Sequence, residues 1–335
     1  MDDEAAMDRA VELAASVRGT TSPNPWVGCV LLGSDGSVLG EGTTAPPGGL
    51  HAEAAALAQA RSAGRDTHGA TAVTTLEPCS HQGRTPACAD ALIRAGVARV
   101  VAAIEDPDQQ VAGRGTGRLR AAGITVDIGP AAAAVESQLA PYLVHRRTGR
   151  PLVILKLAAS LDGRTAAPDG TSQWITGPEA RADAHSLRAE SDAVLVGAGT
   201  VRADDPSLTV RHVEGRNPLR VVLGHAPGGA AIHPCLELGG DLDEVLDQLG
   251  GKGVLQLLVE GGPTVAAAFH RAALVDRYVF YLAPALFGGD DARGLFTGPG
   301  AASIDDVWRG RIAGLTSLGG DLRIDLLPAT GPQET

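Results

Sequence analysis

The residues best suited to chemistry in this chain of 335 are a histidine and two cysteines, set in the pieces His51-Ala52-Glu53 and Glu77-Pro78-Cys79 through Cys88. Zinc takes neutral imidazole and thiolate readily, and a catalytic zinc keeps three protein ligands with a fourth position open for water. One histidine and two thiolates supply that count, and a water bound beside them is acidified toward neutrality. Cys88 follows Thr85-Pro86, a pair suited to the N-cap and first position of a helix. Its thiolate would then lie where the helix dipole favours negative charge. Glu53 stands two residues after His51, about 200° away around a regular helix, so the two do not grip one ion together. From the first turn Glu53 can instead reach the bound water, take its proton and pass it to a leaving amine. The alternative is a structural zinc with His81 or Cys29 as a fourth ligand. Such a site has no need of Glu53, and Cys29 lies in an apolar run as a small core residue. Cys235 is isolated, and His68, His145, His212, His225, His233 and His270 read as surface or structural histidines.

Two glycine turns in the second half suggest a nucleotide. Gly197-Ala198-Gly199-Thr200 follows a strand pattern but falls short of G-x-G-x-x-G, so the dinucleotide fingerprint is not met. Glu260-Gly261-Gly262-Pro263-Thr264 sets a glycine pair between a strand and a helix with proline in its first turn. Backbone N–H groups at such a terminus can hold a pyrophosphate. A tight strand-to-helix turn with no ligand fits the same spacing.

These residues need elements to hold them. Ala6, Ala10, Leu13, Ala14 and Val17 recur at helical spacing. Strands over 27–32 and 38–41 are joined through Asp35-Gly36, a hairpin signal. A helix over 51–63, a strand over 70–76, a helix after Thr85-Pro86, a strand over 98–104, a helix over 116–122 and a strand over 124–128 follow. Such alternation predicts an α/β domain with helices covering a sheet. Residues 131–143 read as one further helix, and 145–151 as a basic, breaker-rich junction. Strands over 152–157, 192–196, 220–223, 254–260 and 277–283 then alternate with helices over 178–190, 241–249 and 263–271, and a hairpin closes around Gly319-Gly320. The expected organisation is a first domain over 1–128, a helical linker over 129–150, a second domain over 151–328 and a frayed tail over 329–335.

Composition narrows the function classes. Lys and Arg number 28 against 39 Asp and Glu, a net charge of −11 that repels phosphate polymers and excludes a general nucleic-acid binder. No run approaches the roughly 18 apolar residues of a membrane span, and Met1-Asp2-Asp3-Glu4 lacks the basic start of a signal peptide. Four cysteines are too few for a disulfide scaffold, which points to a reducing compartment. With 44 glycines and 3% aromatics, the core must be built from Ala, Val and Leu.

The glutamate beside the ligands follows the H-x-E and P-C-x-x-C logic of zinc deaminases, except that eight residues separate the cysteines here. That wide spacing is filled by Ser80-His81-Gln82-Gly83-Arg84-Thr85-Pro86. Together with Asn24-Pro25-Trp26-Val27-Gly28-Cys29-Val30 and Glu105-Asp106-Pro107-Asp108 through Gly115, it resembles the deaminase half of the bifunctional riboflavin-biosynthesis deaminase–reductases. Lys156 through Arg164, Ser172-Gln173-Trp174-Ile175-Thr176 and Gly197 through Thr209 resemble the reductase half. The resemblance implies an α/β fold with an N-terminal cytidine-deaminase-like three-layer domain and a C-terminal dihydrofolate-reductase-like domain. It makes Glu53 the proton donor and places Asn24, Ser80 and His81 in the pyrimidine pocket. A turn that merely shapes the cysteine loop is the alternative for Ser80 and His81. In the second half it implies that Ala158, Trp174, Thr200, Asp204 and the turn Gly262, Pro263, Thr264, Val265, Ala266, Ala267, Ala268 hold NADPH. Ser172, Arg188, Leu208, Arg211 and Glu260 would hold the substrate, the arginines as bidentate partners of its 5′-phosphate. Lys156 would orient or polarise the ribose, against the alternative of a lysine snorkelling at a strand end.

The chain also departs from that family. Thr43-Thr44 and Leu50 replace an aromatic-His pair and a proline, so the 43–50 loop is expected to shape the pocket differently. A short Gly224-His225-Ala226-Pro227-Gly228-Gly229 stretch stands where the family has a longer segment, so the sheet is expected to lack an element. The cofactor's adenosine site or an oligomer interface would change with it. The activity implied is zinc-dependent deamination of 2,5-diamino-6-(5-phosphoribosylamino)pyrimidin-4-one, then NADPH-dependent reduction of its ribosyl group to ribityl. The expected setting is a cytoplasmic homo-oligomer that meets this phosphorylated small molecule and neither nucleic acid nor membrane. The rivals are a deaminase of another base or nucleotide with a degenerate second domain, and a zinc-stabilised binding protein without turnover. Retention of Lys156, Asp204 and Glu260 argues against the first.

Overall fold

Apolar side chains fill two separate cores, and the chain divides into two units, Met1–Arg150 and Pro151–Thr335. The computed structural model describes residues 1–80, 86–108 and 111–329.

The first unit runs α1 (Asp3–Ser16), β1 (Gly28–Leu32), β2 (Val38–Thr43), α2 (Ala52–Ser62), β3 (Thr71–Leu76), α3 (Cys88–Arg94), β4 (Arg99–Ile104), α4 (Arg114–Ala121), β5 (Thr125–Ile128), α5 (Ala132–Gln138) and α6 (Ala140–Thr148). Its five strands lie in the order β2-β1-β3-β4-β5, antiparallel around β1 and parallel from β3 onward. Two glycines let helices close on opposite faces. A Cβ at Gly28 would stand 1.9 Å from the Ala10 carbonyl oxygen of α1, and one at Gly42 2.2 Å from that of Ala52 in α2. Gly42 pairs with Cys29, the neighbour of Gly28, so the pleat sends the two positions to opposite sides. The helix α5 joins the α1 side, where Gln138 Nε2 donates to the Val11 carbonyl at 2.9 Å. The helices α3 and α4 pack in series beside α2. The result is three layers, helices on both faces of one sheet.

Two expectations change here. The α3 helix takes Ala87 as its N-cap, so Pro86 precedes the helix instead of opening it, and Thr85 lies outside the described residues. The stretch 131–143 holds two helices, because Leu139 leaves helical geometry at ψ 8° just ahead of Pro141 in the first turn of α6. Residues 129–150 also do more than link. Tyr142 donates its hydroxyl to both Asp106 carboxylate oxygens at 3.0 and 3.1 Å, which ties α6 into the first unit.

The second unit runs β6 (Leu152–Ser160), β7 (Arg164–Ala166), α7 (Pro178–Glu190), β8 (Ala193–Gly197), α8 (Ala198–Asp204), β9 (Leu219–Leu223), β10 (Leu236–Leu238), α9 (Leu242–Gly251), β11 (Gln256–Val259), α10 (Pro263–Arg271), β12 (Arg277–Ala283), β13 (Arg293–Gly294), β14 (Gly310–Leu318) and β15 (Asp321–Pro328). Eight strands follow the order β10-β9-β8-β11-β6-β12-β15-β14, parallel as far as β12 and antiparallel beyond it. Strands β8 and β11 are buried along their whole length, as parallel strands covered on both faces must be. Leu155, Leu195, Val221, Leu257 and Phe269 join them in the core. The short elements β7, α8, β10 and β13 were not expected. The Gly224 stretch keeps the three-residue strand β10, and residues 224–235 carry no helix, so the missing element is the helix and not the strand.

Candidate active sites

Three element ends converge in the first unit. His51 is the N-cap of α2, Cys79 follows β3 by two residues after Leu76, and Cys88 opens α3. His51 Nδ1 lies 3.6 Å from Cys79 Sγ and 3.5 Å from Cys88 Sγ. Zinc bonds of about 2.0 Å to nitrogen and 2.3 Å to sulfur, at a tetrahedral angle, separate N and S by about 3.6 Å. The three ligand atoms lie within 4.8 Å of one another, so the donor set fits a zinc ion in both type and spacing. Among the described residues no fourth ligand joins, and Cys29 stays in the core of β1. Hydrogen bonds from the Cys88 thiol and then from His51 draw the Cys79 thiol down to about 4. The Cys88 backbone N–H also donates to Cys79 Sγ at 3.3 Å.

Glu53 sits in the first turn of α2 at 4% exposure, within hydrogen-bonding reach of Cys88 but outside the ligand cluster. Burial and the neighbouring Cys79 sulfur push its carboxyl up to about 7. It faces a cavity of about 470 Å³ that Asn24, His51 and Cys79 also line. Ser80 is half-buried and does not line it, and His81 lies outside the described residues. Thr44, Pro47, Gly48 and Gly49 bring the altered loop into the wall, and Leu50 turns outward at 45% exposure.

The same cavity contains residues that spacing had not singled out. Glu77 accepts from the backbone N–H groups of Asp106, Gly113 and Thr116 at 3.2, 3.0 and 2.9 Å. It therefore caps α4 from a distance and ties three segments together. The close approach shows at Gly115, where a Cβ would stand 1.8 Å from the Pro78 carbonyl oxygen. Asp106 follows β4 and is raised to about 6 by burial. Arg146 completes the wall, with its guanidinium 5.0 Å above the Tyr142 ring and Nε 3.4 Å from Asp108. The Glu105-to-Asp108 run was the available signal for Asp106 and Asp108. Nothing local marked Tyr142 or Arg146.

In the second unit, Lys156, Ala158, Ser172, Trp174, Arg188, Thr200, Asp204, Leu208, Arg211 and Glu260 line one cleft of about 720 Å³. Glu260 follows β11, and both its oxygens are held by Arg188, from Nε at 2.5 Å and Nη2 at 2.9 Å. The Lys156 ammonium lies 3.6 Å from the same carboxylate. This corrects one expectation, because the bidentate edge of Arg188 is spent on Glu260 and is not open to a phosphate. Arg211 Nη1 donates to Ser207 and Thr209 hydroxyls at 2.5 and 3.1 Å. Leu208 is buried in the left-handed region at φ 50°, a strained conformation at the cleft edge. Trp174 is 69% exposed, with the Arg181 guanidinium 4.7 Å over its ring.

Residues 262–268 do not line the cleft. Gly262 is the N-cap of α10, and its N–H donates to Thr200 Oγ1 at 3.2 Å, which joins this turn to the cleft wall. Ala266 and Ala267 bury their side chains in the core, so only the backbone of the first turn is open to a ligand. A helix start beside four cationic side chains, Lys156, Arg181, Arg188 and Arg211, is a donor set that fits a phosphorylated dinucleotide. The sequence had also left His185 unassigned, and it lines this cleft at 5% exposure.

Comparisons with known proteins match both units. Residues 1–104 match the cytidine and deoxycytidylate deaminase zinc-binding region. Residues 151–229 and 230–323 match the RibD C-terminal domain, with the break inside the shortened Gly224 stretch. The riboflavin biosynthesis protein RibD of Escherichia coli K12 is 43% identical over 372 aligned residues, which cover 98% of this chain and 100% of that protein. The structure of Acinetobacter baumannii RibD, form 1, superposes with a TM-score of 0.91 at 37% identity over 98% of this chain and 99% of that one. A Thermotoga maritima diaminohydroxyphosphoribosylaminopyrimidine deaminase/5-amino-6-(5-phosphoribosylamino)uracil reductase gives 0.89 at 32% identity, covering 98% and 99%.

Proposed function

The chain belongs to the RibD family of bifunctional riboflavin-biosynthesis enzymes, and on that premise we propose how its own residues divide the work. The first unit is a zinc-dependent deaminase acting on 2,5-diamino-6-(5-phosphoribosylamino)pyrimidin-4-one. The second is an NADPH-dependent reductase that converts the ribosyl group of the deaminated product to ribityl.

In the first unit His51, Cys79 and Cys88 hold zinc, which supplies the Lewis acidity that makes a water reactive near neutral pH. Asn24 orients the pyrimidine from the opposite wall. Glu53, poised near neutrality, takes a proton at its carboxylate and returns it to the departing 2-amino nitrogen, which leaves as ammonia. The observation that carries this reading is the unshared position of Glu53, buried beside the ligand triangle without belonging to it.

In the second unit NADPH supplies hydride, with Thr200, Asp204, Trp174 and the backbone at the start of α10 as its holders. Lys156, held by Glu260, orients the ribose at its reacting carbon, and Ser172, Leu208 and Arg211 fix the rest of the substrate. Placement is the larger part of catalysis here, since hydride transfer asks for little proton traffic. No helix among the described residues is long and apolar enough to cross a membrane. We assign the enzyme to the cytoplasm, where its phosphorylated substrate and NADPH are made. A homo-oligomer is supported by β14, the sheet's edge strand, which exposes Ile312 and Leu315 at 61% and 63%. Light scattering of the I312K/L315K variant should then report smaller particles than the parent.

Mass spectrometry of the diaminopyrimidinone phosphate incubated with zinc-loaded protein tests the whole reading. The deaminated ribosyl compound should accumulate without NADPH, and the ribityl compound should form with it. Deamination that never proceeds to reduction would make the second unit a degenerate reductase. No reaction would overturn the assignment.

A further inference from the structure

A buried imidazole in the second cleft has an unresolved hydrogen-bonding conflict. His185, on α7, meets a donor at each ring nitrogen. The Arg211 backbone N–H gives to Nδ1 at 3.1 Å, and Arg188 Nη1 stands 3.5 Å from Nε2. Neither donor can reverse its role, since an amide N–H and a guanidinium have no lone pair to offer. A neutral imidazole carries one N–H and one lone pair, so it cannot accept from both. The shorter contact takes the lone pair, makes Nδ1 the acceptor and places the ring proton on Nε2. The 3.5 Å contact then sets one N–H against another at the edge of hydrogen-bonding range.

Arg188 cannot turn away to relieve this. Glu260 clasps its Nε and Nη2, and its Nη1 also donates to the Thr209 carbonyl at 3.3 Å. The His212 ring packs edge-on against His185 with centroids 4.6 Å apart and planes at 87°, which holds the imidazole in orientation. Burial, then the charges of Arg188, Arg211 and His212, hold the His185 pKa down to about 4 against the opposing pull of Glu260, so the ring is neutral at pH 7. The outcome is an N–H donor on the wall of the cleft, in a side chain 5% exposed, flanked by two guanidinium groups. What it lacks is an anionic acceptor.

We propose that His185 donates its Nε2–H to the phosphate monoester of the reductase substrate, and that with Arg188 Nη1 and Arg211 it forms the phosphate site of the second unit. This rests on the reading of that unit as a reductase of a phosphorylated ribosyl compound. A neutral donor adds direction without a third positive charge, and it fills the role that the bidentate edge of Arg188 cannot. NADPH also carries a phosphate monoester, so the experiment must separate the two sources.

The test uses the full-length, zinc-loaded protein with ¹⁵N-labelled histidine. The wild-type spectrum should show His185, identified by its loss in His185→Ala, as the Nε2–H tautomer, and inorganic phosphate should shift it. In kinetics, His185→Ala should raise KM for the phosphorylated substrate about tenfold or more, the usual cost of losing a hydrogen bond to a charged group. It should leave kcat, the KM for NADPH and the KM for the dephosphorylated nucleoside within about twofold. His185→Gln, which keeps one donor and one acceptor, should restore most of the loss. An Nδ1–H tautomer, an equal rise for both substrates, or a rise confined to NADPH would each overturn the proposal. If His185→Ala fails to fold, the wild-type tautomer and the His185→Gln kinetics decide it. If the wild type reduces nothing, the reductase reading falls, and the phosphate response of His185 still decides whether an anion site exists.

Discussion

Replacing Glu260 with glutamine should cost the second unit about 3 kcal/mol at pH 7, and the loss should fade in acid. The side chain is 6% exposed, which by itself would raise its pKa. Arg188 at 2.5 Å and Lys156 at 3.6 Å outweigh that penalty and bring it from 4.5 down to about 2. At about 1.4 kcal/mol per tenfold change, that drop corresponds to about 3 kcal/mol of extra stability for the folded carboxylate. The carboxyl binds its proton less readily in the folded chain than in the unfolded one. Its contribution is therefore complete above about pH 5 and declines as pH falls from the unfolded value toward the folded one. Glutamine resembles the protonated acid, so the gap between wild type and Glu260→Gln should narrow from about 3 kcal/mol at pH 7 to about 1 at pH 3. Removing one partner of a buried pair typically costs about 3–5 kcal/mol, which agrees in size. Urea denaturation followed through Trp174 and Trp308 would read it, both tryptophans lying in the second unit. Arg188→Met combined with Glu260→Met should regain most of the stability and none of the reductase activity. A loss under about 1 kcal/mol at pH 7, or a gap that stays constant between pH 5 and pH 3, would refute the account of this ion pair.

The zinc triangle uses three ligands, so chelation should abolish deamination while far-ultraviolet circular dichroism and reduction of supplied deaminated substrate persist. Unfolding of the first unit on chelation would mark the site as structural instead. Asp106, raised from 3.8 to about 6 by burial, binds its proton more tightly when folded. Stability should therefore fall by up to about 3 kcal/mol as pH rises from about 4 to 6, a slope that Asp106→Asn should remove in urea titrations. A methyl group at Gly115 would meet the Pro78 carbonyl at 1.8 Å, next to the ligand Cys79. Gly115→Ala should cost about 2–3 kcal/mol in a thermal melt and lower zinc content by elemental analysis.

What was legible in the sequence was what local chemistry encodes. The helices Pro178–Glu190 and Pro263–Arg271 start where a proline follows glycine, and both match their expected bounds. The ligand triangle was legible because few residue types bind zinc and few spacings suit it. Contacts between distant segments were not. Tyr142 becomes a wall of the first cavity only because its hydroxyl finds Asp106, 36 residues earlier in the chain. His185 reads as one more helical residue until Arg211 donates to it across 26 residues. Short strands such as β7 and β13 have no periodicity to detect, because each exists only in its pairing with the other.

The two sites place opposite electrostatics in similar positions. Both lie beyond the carboxyl ends of parallel strands, Cys79 and Asp106 after β3 and β4, and Glu260 and Thr200 after β11 and β8. That is where open α/β sheets leave a crevice, so topology sets the place but not the chemistry. In the first cavity burial outweighs pairing, and the carboxyls of Glu53 and Asp106 rise toward neutrality, to about 7 and about 6. Groups tuned in this way can gain and lose protons at working pH, as deamination requires. In the second cleft pairing outweighs burial, so Glu260 falls to about 2. Its charges are fixed across the physiological range, and fixed charges suit a site that must hold an anionic substrate still while a hydride crosses. Each half is thus matched to its step by the balance between desolvation and countercharge. Exchanging that balance, by adding a cation beside Glu53 or removing Arg188 from Glu260, should impair each step for opposite reasons.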